Sequence, residues 1–319
     1  MRGAGFHAPD RPVLVLGGGG FLGTNLVDRL LSEGARVISY SRSFLTTRTH
    51  PGILYEEAGN GDPSRLEALI EQSGLVYHMA HGFTPATPRP TITDRLPALM
   101  ELNNAVMRAC RRHDVPLIYL SSGGTVYGRA ETIPTPESAP TAPINFYGIT
   151  KLAAERYFTT EPGLDCRVLR VSNPYGPWQF GLGGQGVIGT WMQRLLHGET
   201  LTIRGDGEAA RDYVYVDDLT EGLLRAASAG AAGGIYNIGS GRRLSLNELL
   251  EAFRTLFDQD LHCHYIPAAP SDVPVSVLDI SCAERELGWC PYIDLDEGLR
   301  RTRDWLDHPD RRHDRRVGR

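Results

Sequence analysis

Two groups of residues in this chain could do chemistry together: a glycine-rich turn near the start, and a tyrosine–lysine pair with hydroxyls upstream of it. The segment VLVLGGGGFLG sets Gly17, Gly20 and Gly23 three residues apart, between an apolar run and a helical pattern that opens on Phe21 and Leu22. Such a turn lets backbone N–H groups and a helix N-terminus approach a pyrophosphate, where the macrodipole favours negative charge. The same run satisfies the G-x-G-x-x-G spacing through Gly18, Gly20 and Gly23, so the glycines do not choose between subclasses of dinucleotide fold. The acidic residue that would hold an adenosine ribose 2′-OH about 20 residues on is absent, and Tyr40, Ser41 and Arg42 stand there instead. An arginine at this point can accommodate a 2′-phosphate, which leaves NADP open beside NAD; a solvent-facing Arg42 is the plain alternative.

Tyr147 and Lys151 are four residues apart in YGITK, at the start of a predicted helix, and so share one face. An ammonium beside a phenol favours the phenolate and lowers a pKa that is about 10 when unperturbed, which makes Tyr147 a candidate general base. Ser122 and Thr125, in LSSGGTVYG at the end of a predicted strand, could each hydrogen-bond the same reacting oxygen. Other candidates carry less. His262 and His264 would share one side of a strand around Cys263, but no second ligand pair accompanies them and no metal site is expected. His78 and His81 read as core or cofactor-facing, Trp289 as packing, and Cys166 lacks a basic neighbour that would make it a nucleophile.

The elements that must position these groups follow an α/β pattern. Pro12–Leu16 reads as a strand buried on both faces, followed by a helix over Phe21–Leu31. Further strands are expected at Ala35–Tyr40, Ile53–Glu56, Leu75–Met79, Pro116–Leu120 and Asp165–Val171, and helices at Pro63–Gln72, Asp94–His113 and Phe146–Thr159. The alternation implies a Rossmann-type, doubly wound parallel sheet with crossover helices. Beyond Asn173 the alternation breaks up. A glycine-rich loop at Gly181–Gly189 and helical patterns near Val187–His197, Asp217–Ala227, Leu246–Phe257 and Asp296–Trp305 suggest a smaller, mixed α/β substrate lobe. Residues 11–173, with returns from the C-terminal half, should form the dinucleotide domain, residues 174–308 most of the lobe, and residues 1–10 and 309–319 flexible ends.

Composition narrows the classes. The 319 residues are 41% hydrophobic and 22% charged with a net charge of −5, enough chain for a sizeable core and no global field for nucleic acid or an anionic membrane. The basic stretch Arg311–Arg319 reads as a solvated terminus. No run of 18 apolar residues and no apolar leader is present, so no membrane partner is expected and the chain reads as cytoplasmic. Five scattered cysteines suit reduced thiols.

The ordered set GGGGFLG, VYHMA, LSSGGTVYG, YGITK, RVSNPYGP, GDGEAARDYVYVDDL and APSDVPVSVLD-to-LGW resembles the extended short-chain dehydrogenase/reductase family from about Pro12 to Trp305. Within it the chain is most similar to the nucleotide-sugar 4-epimerases. The resemblance implies that Gly17, Gly20, Phe21, Leu22 and Gly23 wrap the pyrophosphate of NAD, with Ser41, Arg42, Asn60 and Gly61 near its adenosine. Met79, Ala80 and His81 would line the cofactor. Tyr147 would be the base on the sugar 4-OH, with Lys151 holding the nicotinamide ribose. Asn173, Arg211 and Asp272 would bind the nucleotide sugar, the arginine pairing its diphosphate. It further implies a homodimer formed through helices after the third and fourth crossovers.

Departures from the family pattern are informative. The usual hydroxyl position, four before the tyrosine of VYG, is Gly123, which leaves Ser122 or Thr125 as substitutes. Gly124 and Thr125 stand where sugar 4,6-dehydratases and UDP-glucuronate decarboxylases need a carboxylate, so neither reaction is expected. The position four after Asp272 resembles a gate, at which a tyrosine restricts the pocket to plain hexoses and a small residue admits an N-acetyl group; here it is Ser276. The resemblance therefore implies a 4-epimerase of UDP-N-acetylglucosamine and UDP-N-acetylgalactosamine, with or without UDP-glucose and UDP-galactose. An NADPH-dependent 4-keto-sugar reductase using the same tyrosine and lysine is the alternative.

Overall fold

The computed structural model describes residues 6–45, 50–58, 63–85, 87–179, 186–268 and 273–307. The first half runs β1 (Val13–Leu16), α1 (Phe21–Ser32), β2 (Val37–Ser41), β3 (Ile53–Glu57), α2 (Pro63–Glu71), β4 (Leu75–His78), α3 (Arg89–Arg112), β5 (Leu117–Ser122), a single turn α4 (Gly123–Val126), α5 (Phe146–Thr159) and β6 (Cys166–Val171). The second half runs β7 (Asn173–Tyr175), α6 (Val187–Leu196), β8 (Leu201–Arg204), β9 (Ala210–Arg211), β10 (Tyr213–Tyr215), α7 (Val216–Ala229), β11 (Ile235–Ile238), β12 (Leu244–Ser245), α8 (Leu246–Phe257), β13 (Cys263–Ile266), β14 (Val275–Ser276), α9 (Ser281–Leu287) and α10 (Leu295–Asp307).

Seven strands form one parallel sheet in the order β11-β6-β5-β4-β1-β2-β3. Both faces are covered, because successive side chains of a strand point to opposite sides. Val13 and Val15 pack under α1 and α7 with Leu26, Leu30, Leu219 and Leu223. Leu14 and Leu16 pack under α2, α3 and α5 with Leu69, Val106 and Phe158. The strand order reverses between β1 and β4, and a crevice for a ligand lies at the carboxyl ends of the strands at such a switch point. A second core, with Trp191, Phe253 and Leu249 at its centre, joins α6, α8 and α10 to the small pairings β7–β10, β12–β9–β14 and β8–β13.

The architecture is the expected Rossmann type, and α5 and α8 have the expected bounds. Other elements differ. The helix expected from Asp94 starts at Arg89, since Pro90 in a first turn gives up no helical hydrogen bond, and it continues through Pro97. Strand β11 and helix α9 were not anticipated as elements. Within the start expected to be loose, Phe6 and Ala8 pack against the core, and residues 1–5 lie outside the described residues. The expected tail 309–319 and Gly181–Gln185 of the glycine loop lie outside the described residues.

Candidate active site

The glycine turn is built by close approach. Gly17 has φ +87°, and a Cβ there would stand 2.9 Å from the backbone N of Ala80, so only glycine lets β1 and the loop after β4 meet. A Cβ on Gly23 would strike the Gly17 carbonyl, whereas one on Gly20 would make only ordinary contact with it, at 3.5 Å. Gly20 caps α1 with no side-chain cap, and no acidic residue sits in the first turn. The N–H groups of Phe21, Leu22 and Gly23 therefore have no intrahelical acceptor and face a site that favours an anion. This cradle fits the pyrophosphate of a dinucleotide.

Across the crevice, Met79, Ala80 and His81 follow β4, with Met79 N donating to Leu16 O at 2.9 Å. His81 Nε2 and Thr150 Oγ1 are hydrogen-bonded at 3.0 Å, and the His81 ring stands edge-on to Tyr147 with centroids 5.1 Å apart. Burial, and then the nearby Lys151 charge, push the His81 pKa well below the usual imidazole range, so the ring is neutral. His78 is likewise pushed down, to about 4, by burial, and pairs through Nε2 with Asn103 Oδ1 at 2.9 Å.

Helix α5 is started by Asn145, whose side chain accepts from Gly148 N at 2.8 Å. It carries Tyr147 and Lys151 on one face, as their spacing requires. The electrostatics differ from the expectation. Burial pushes Tyr147 up to about 12, opposed by hydrogen bonding to Ser122. The Lys151 ammonium does not lower it here: Nζ donates to Leu120 O at 2.7 Å and lies 5.9 Å from the Tyr147 ring centre. Lys151 is itself pushed down to about 7 by burial, with the Glu155 carboxylate acting the other way.

Of the two candidate hydroxyls, Ser122 is the one that meets Tyr147; Thr125 Oγ1 turns back to Ser122 O at 3.4 Å. A Cβ at Gly123 would stand 2.6 Å from the end of the Leu278 side chain and 3.1 Å from Arg170 O, so the family's usual hydroxyl would fit here only if Leu278 shifted. Gly124 opens the other way. A Cβ there would have nothing nearer than Asn173 Nδ2 and Ser172 O, both at 4.0 Å.

Asn173 leads into a cleft of about 210 Å³, lined also by Gln179, Ile188, Arg211, Tyr213 and Leu246. Asn173 Nδ2 donates to Asp212 O at 3.0 Å, and Arg211 Nη1 to Ala210 O at 2.8 Å. Ser276 is the direct strand partner of Arg211, which places the expected gate beside the expected diphosphate ligand. Ser41 and Arg42 stand at the end of β2 beside the turn. Asn60, Gly61 and Asp272 lie outside the described residues. Among the described residues no group of three His, Cys, Asp or Glu could hold a metal. Cys166 is buried, with its thiol pushed up, and Trp289 is buried with Nε1 donating to Asp218 O at 2.9 Å.

Two residues were missed in the sequence. Gln179 is buried beside the cleft, with Nε2 on Pro174 O at 2.9 Å and Oε1 unpaired among the described residues. Asp212 is fully buried, and its carboxylate accepts from Ser240 N, Ser240 Oγ, Gly241 N and Leu278 N at 2.6–3.2 Å, tying Arg211 and Tyr213 to the end of β11. Their only signals were their places next to the SNPYGP and ARDYVYV segments.

Comparison with known proteins agrees with this geometry. The UDP-glucose 4-epimerase of Thermotoga maritima, solved with UDP-glucose, superposes with a TM-score of 0.84 at 33% identity over 92% of this chain and 98% of that one. The UDP-N-acetylglucosamine 4-epimerase of Methanobrevibacter ruminantium M1, solved with UDP-N-acetylmuramic acid, gives 0.82 at 27% identity over 93% and 98%. The UDP-glucose 4-epimerase of Mycolicibacterium smegmatis is 31% identical over 304 residues, 91% of this chain and 96% of its own. Residues 13–239, from β1 past the end of β11, match the model of the NAD dependent epimerase/dehydratase family, and the chain belongs to that family.

Proposed function

We propose that this protein is a nucleotide-sugar 4-epimerase that interconverts UDP-hexoses, UDP-N-acetylglucosamine and UDP-N-acetylgalactosamine among them, and keeps NAD bound through the cycle. The observation that carries this reading is the convergence of Tyr147 and Ser122 beside the Met79–His81 edge of the cofactor crevice, with the open side of Gly124 leading to Asn173 and the Arg211 cleft. The activities named for the similar 4-epimerases support the same class.

NAD, when bound, supplies the hydride acceptor and donor at C4 of the sugar. Tyr147 takes the 4-OH proton and later returns one to the same oxygen, while the Ser122 hydroxyl hydrogen-bonds that oxygen. Lys151, fixed to Leu120 O, offers its remaining protons to a ribose. Arg211 pairs the diphosphate, Asn173 orients the sugar, and the open side of Gly124 leaves room for a 4-keto sugar to turn over and present its opposite face. Proximity and orientation then supply most of the rate.

The test is NMR of the purified protein with UDP-N-acetylglucosamine and no added reductant. The C4 epimer should accumulate to equilibrium. In a Ser276→Tyr variant the N-acetylhexosamine should no longer turn over while UDP-glucose still does; full N-acetylhexosamine turnover in that variant would refute the gate. No change in either sugar, even with NAD added, would overturn the epimerase reading. The NADPH-dependent 4-keto-sugar reductase, favoured by Arg42 at the end of β2, would then take its place.

We also propose a homodimer formed through α3 and α5. The outer faces of these helices expose Met100, Ile149 and Tyr157, apolar or amphipathic side chains of the kind an interface covers. Sedimentation equilibrium should return twice the chain mass, and a monomer at micromolar concentration would refute it.

A further inference from the structure

We propose that His81 holds the nicotinamide half of the dinucleotide: its Nδ1 accepts a hydrogen bond from a donor there, a ribose hydroxyl or the carboxamide N–H, while its Nε2–H ties the same ring to helix α5. The inference rests on the family's NAD and on the role proposed above for Tyr147, and is independent of which sugar is turned over.

The loop after β4 brings His81 to the crevice. Met79 N is bonded to Leu16 O, and Ala80 N is the atom that a Cβ on Gly17 would approach at 2.9 Å, so the residues leading into His81 lie against the glycine turn at the switch point of the sheet. His81 itself meets the catalytic helix. Its ring stands edge-on to Tyr147, with centroids 5.1 Å apart, and edge-on to Phe83 at 5.6 Å. Phe83 is buried with Ile92 and Leu99, and Tyr147 packs against the three of them, so both neighbours of the imidazole are held in place. The half of the dinucleotide that comes beside Tyr147 is the nicotinamide, because the proton and the hydride leave the same carbinol group of the sugar.

Hydrogen bonds set the tautomer. Thr150 has one hydroxyl hydrogen, and it goes to Tyr147 O at 2.9 Å. The 3.0 Å contact between Thr150 Oγ1 and His81 Nε2 therefore takes its hydrogen from the imidazole. The ring is neutral, through burial and then the Lys151 charge, so a proton on Nε2 leaves Nδ1 a bare acceptor. Nδ1 is buried and has no hydrogen-bond partner among the described residues. Buried acceptors in folded chains are satisfied as a rule, and one left open in the wall of a ligand crevice is matched by a donor of the ligand. His81 then links the cofactor to the first turn of α5, with Thr150 carrying the link to the Tyr147 backbone.

Two substitutions separate the two nitrogens. Asparagine puts an amide oxygen where Nδ1 stands and gives up the bond to Thr150; glutamine reaches the place of Nε2 and gives up the acceptor. Calorimetric titration of the full chain, stripped of resident nucleotide, with NAD+, ADP-ribose and ADP reads the difference without any turnover. His81→Gln should weaken NAD+ by about 5- to 100-fold, the range for a buried donor left without its acceptor, and His81→Asn by less than about 3-fold. ADP, which carries neither nicotinamide-side donor, should bind the parent and both variants alike. A loss with ADP-ribose as large as with NAD+ assigns the ribose hydroxyl, and a loss confined to NAD+ assigns the carboxamide. The reverse order, with His81→Asn weakened and His81→Gln unchanged, would give the ring to Thr150 alone and overturn the proposal, as would an equal loss of ADP. Nitrogen NMR of the unsubstituted protein needs no variant: His81 should show a protonated Nε2 and a bare Nδ1 whose resonance moves upfield when NAD+ is added. A bare Nε2, or an Nδ1 resonance that NAD+ leaves in place, would overturn the proposal while leaving the role of Tyr147 to its own kinetic test.

Discussion

Replacing Tyr147 by phenylalanine lowers kcat by about 10³-fold, within the 10²–10⁴ that a positioned proton-transfer group contributes, and leaves the fold intact. The ring keeps its work. It stands edge-on to His81 and packs against Phe83, Ile92 and Leu99, and phenylalanine preserves those contacts. What disappears is one hydroxyl, with its hydrogen bond to Ser122. Neither Thr125, whose hydroxyl is turned to Ser122 O, nor position 123, which has no side chain, can replace it. Burial holds the Tyr147 phenol at about 12 in this structure, too high for a base near neutrality, so its use depends on what positive charge reaches it when the site is filled. Steady-state kinetics on the sugar turned over in the NMR assay, with thermal melts in parallel, measures the effect. A variant that kept more than a tenth of kcat would remove Tyr147 from the proton-transfer role. A non-catalytic nucleotide-binding protein on this fold would be indifferent to the change, so the same measurement separates that class from the enzymes.

Much of this site was legible because its signals are local. The glycine turn needs only the spacing of its own residues and an apolar strand before it. Helix α5 starts where Asn145 can cap it, and α8 starts where Ser245 and Glu248 close a capping box, so both had readable bounds. What was not legible is set by distant partners. Ser122 is preferred over Thr125 because α4 begins at Gly123 and turns the Thr125 hydroxyl back on its own backbone. The missing hydroxyl at 123 is explained by Leu278, which arrives from the far end of the chain to fill that space. The spacing of Tyr147 and Lys151 announced a lowered phenol pKa, but spacing says nothing of how deeply the pair is buried, and burial dominates both groups. Asp212 looks like an ordinary acid in the sequence; its four donors come from the end of β11 and from Leu278, neither of which is nearby in the chain.

Arg170→Met should destabilise the protein by about 3–5 kcal/mol, because it strands a carboxylate in the interior. Arg170 and Glu155 are each about 2% exposed at the side chain, and Nε and Nη2 donate to the carboxylate at 2.8–3.2 Å. Ser121 Oγ also donates to Glu155, and Arg170 Nη1 donates to Tyr127 Oη at 3.0 Å, whose hydroxyl in turn donates to Asn237 Oδ1 at 2.8 Å. One buried network thus joins α5 to β5, β6 and β11. Removing the cation alone leaves Glu155 without its countercharge; removing both charges with an added Glu155→Leu leaves no charge to solvate, and most of the loss should return. Urea titration of the two single variants and the double variant gives the coupling, with an unchanged slope showing that the unfolded chain is comparable. The effect reaches the chemistry because Glu155 lies one turn beyond Lys151 and two beyond Tyr147 on the same helix face. At temperatures where Arg170→Met is folded, kcat should fall while KM for the sugar nucleotide, bound across the cleft by Arg211, stays close to the parent value. A loss of stability under about 1 kcal/mol, or an equal loss in the double variant, would show that the pair does not hold α5 in place.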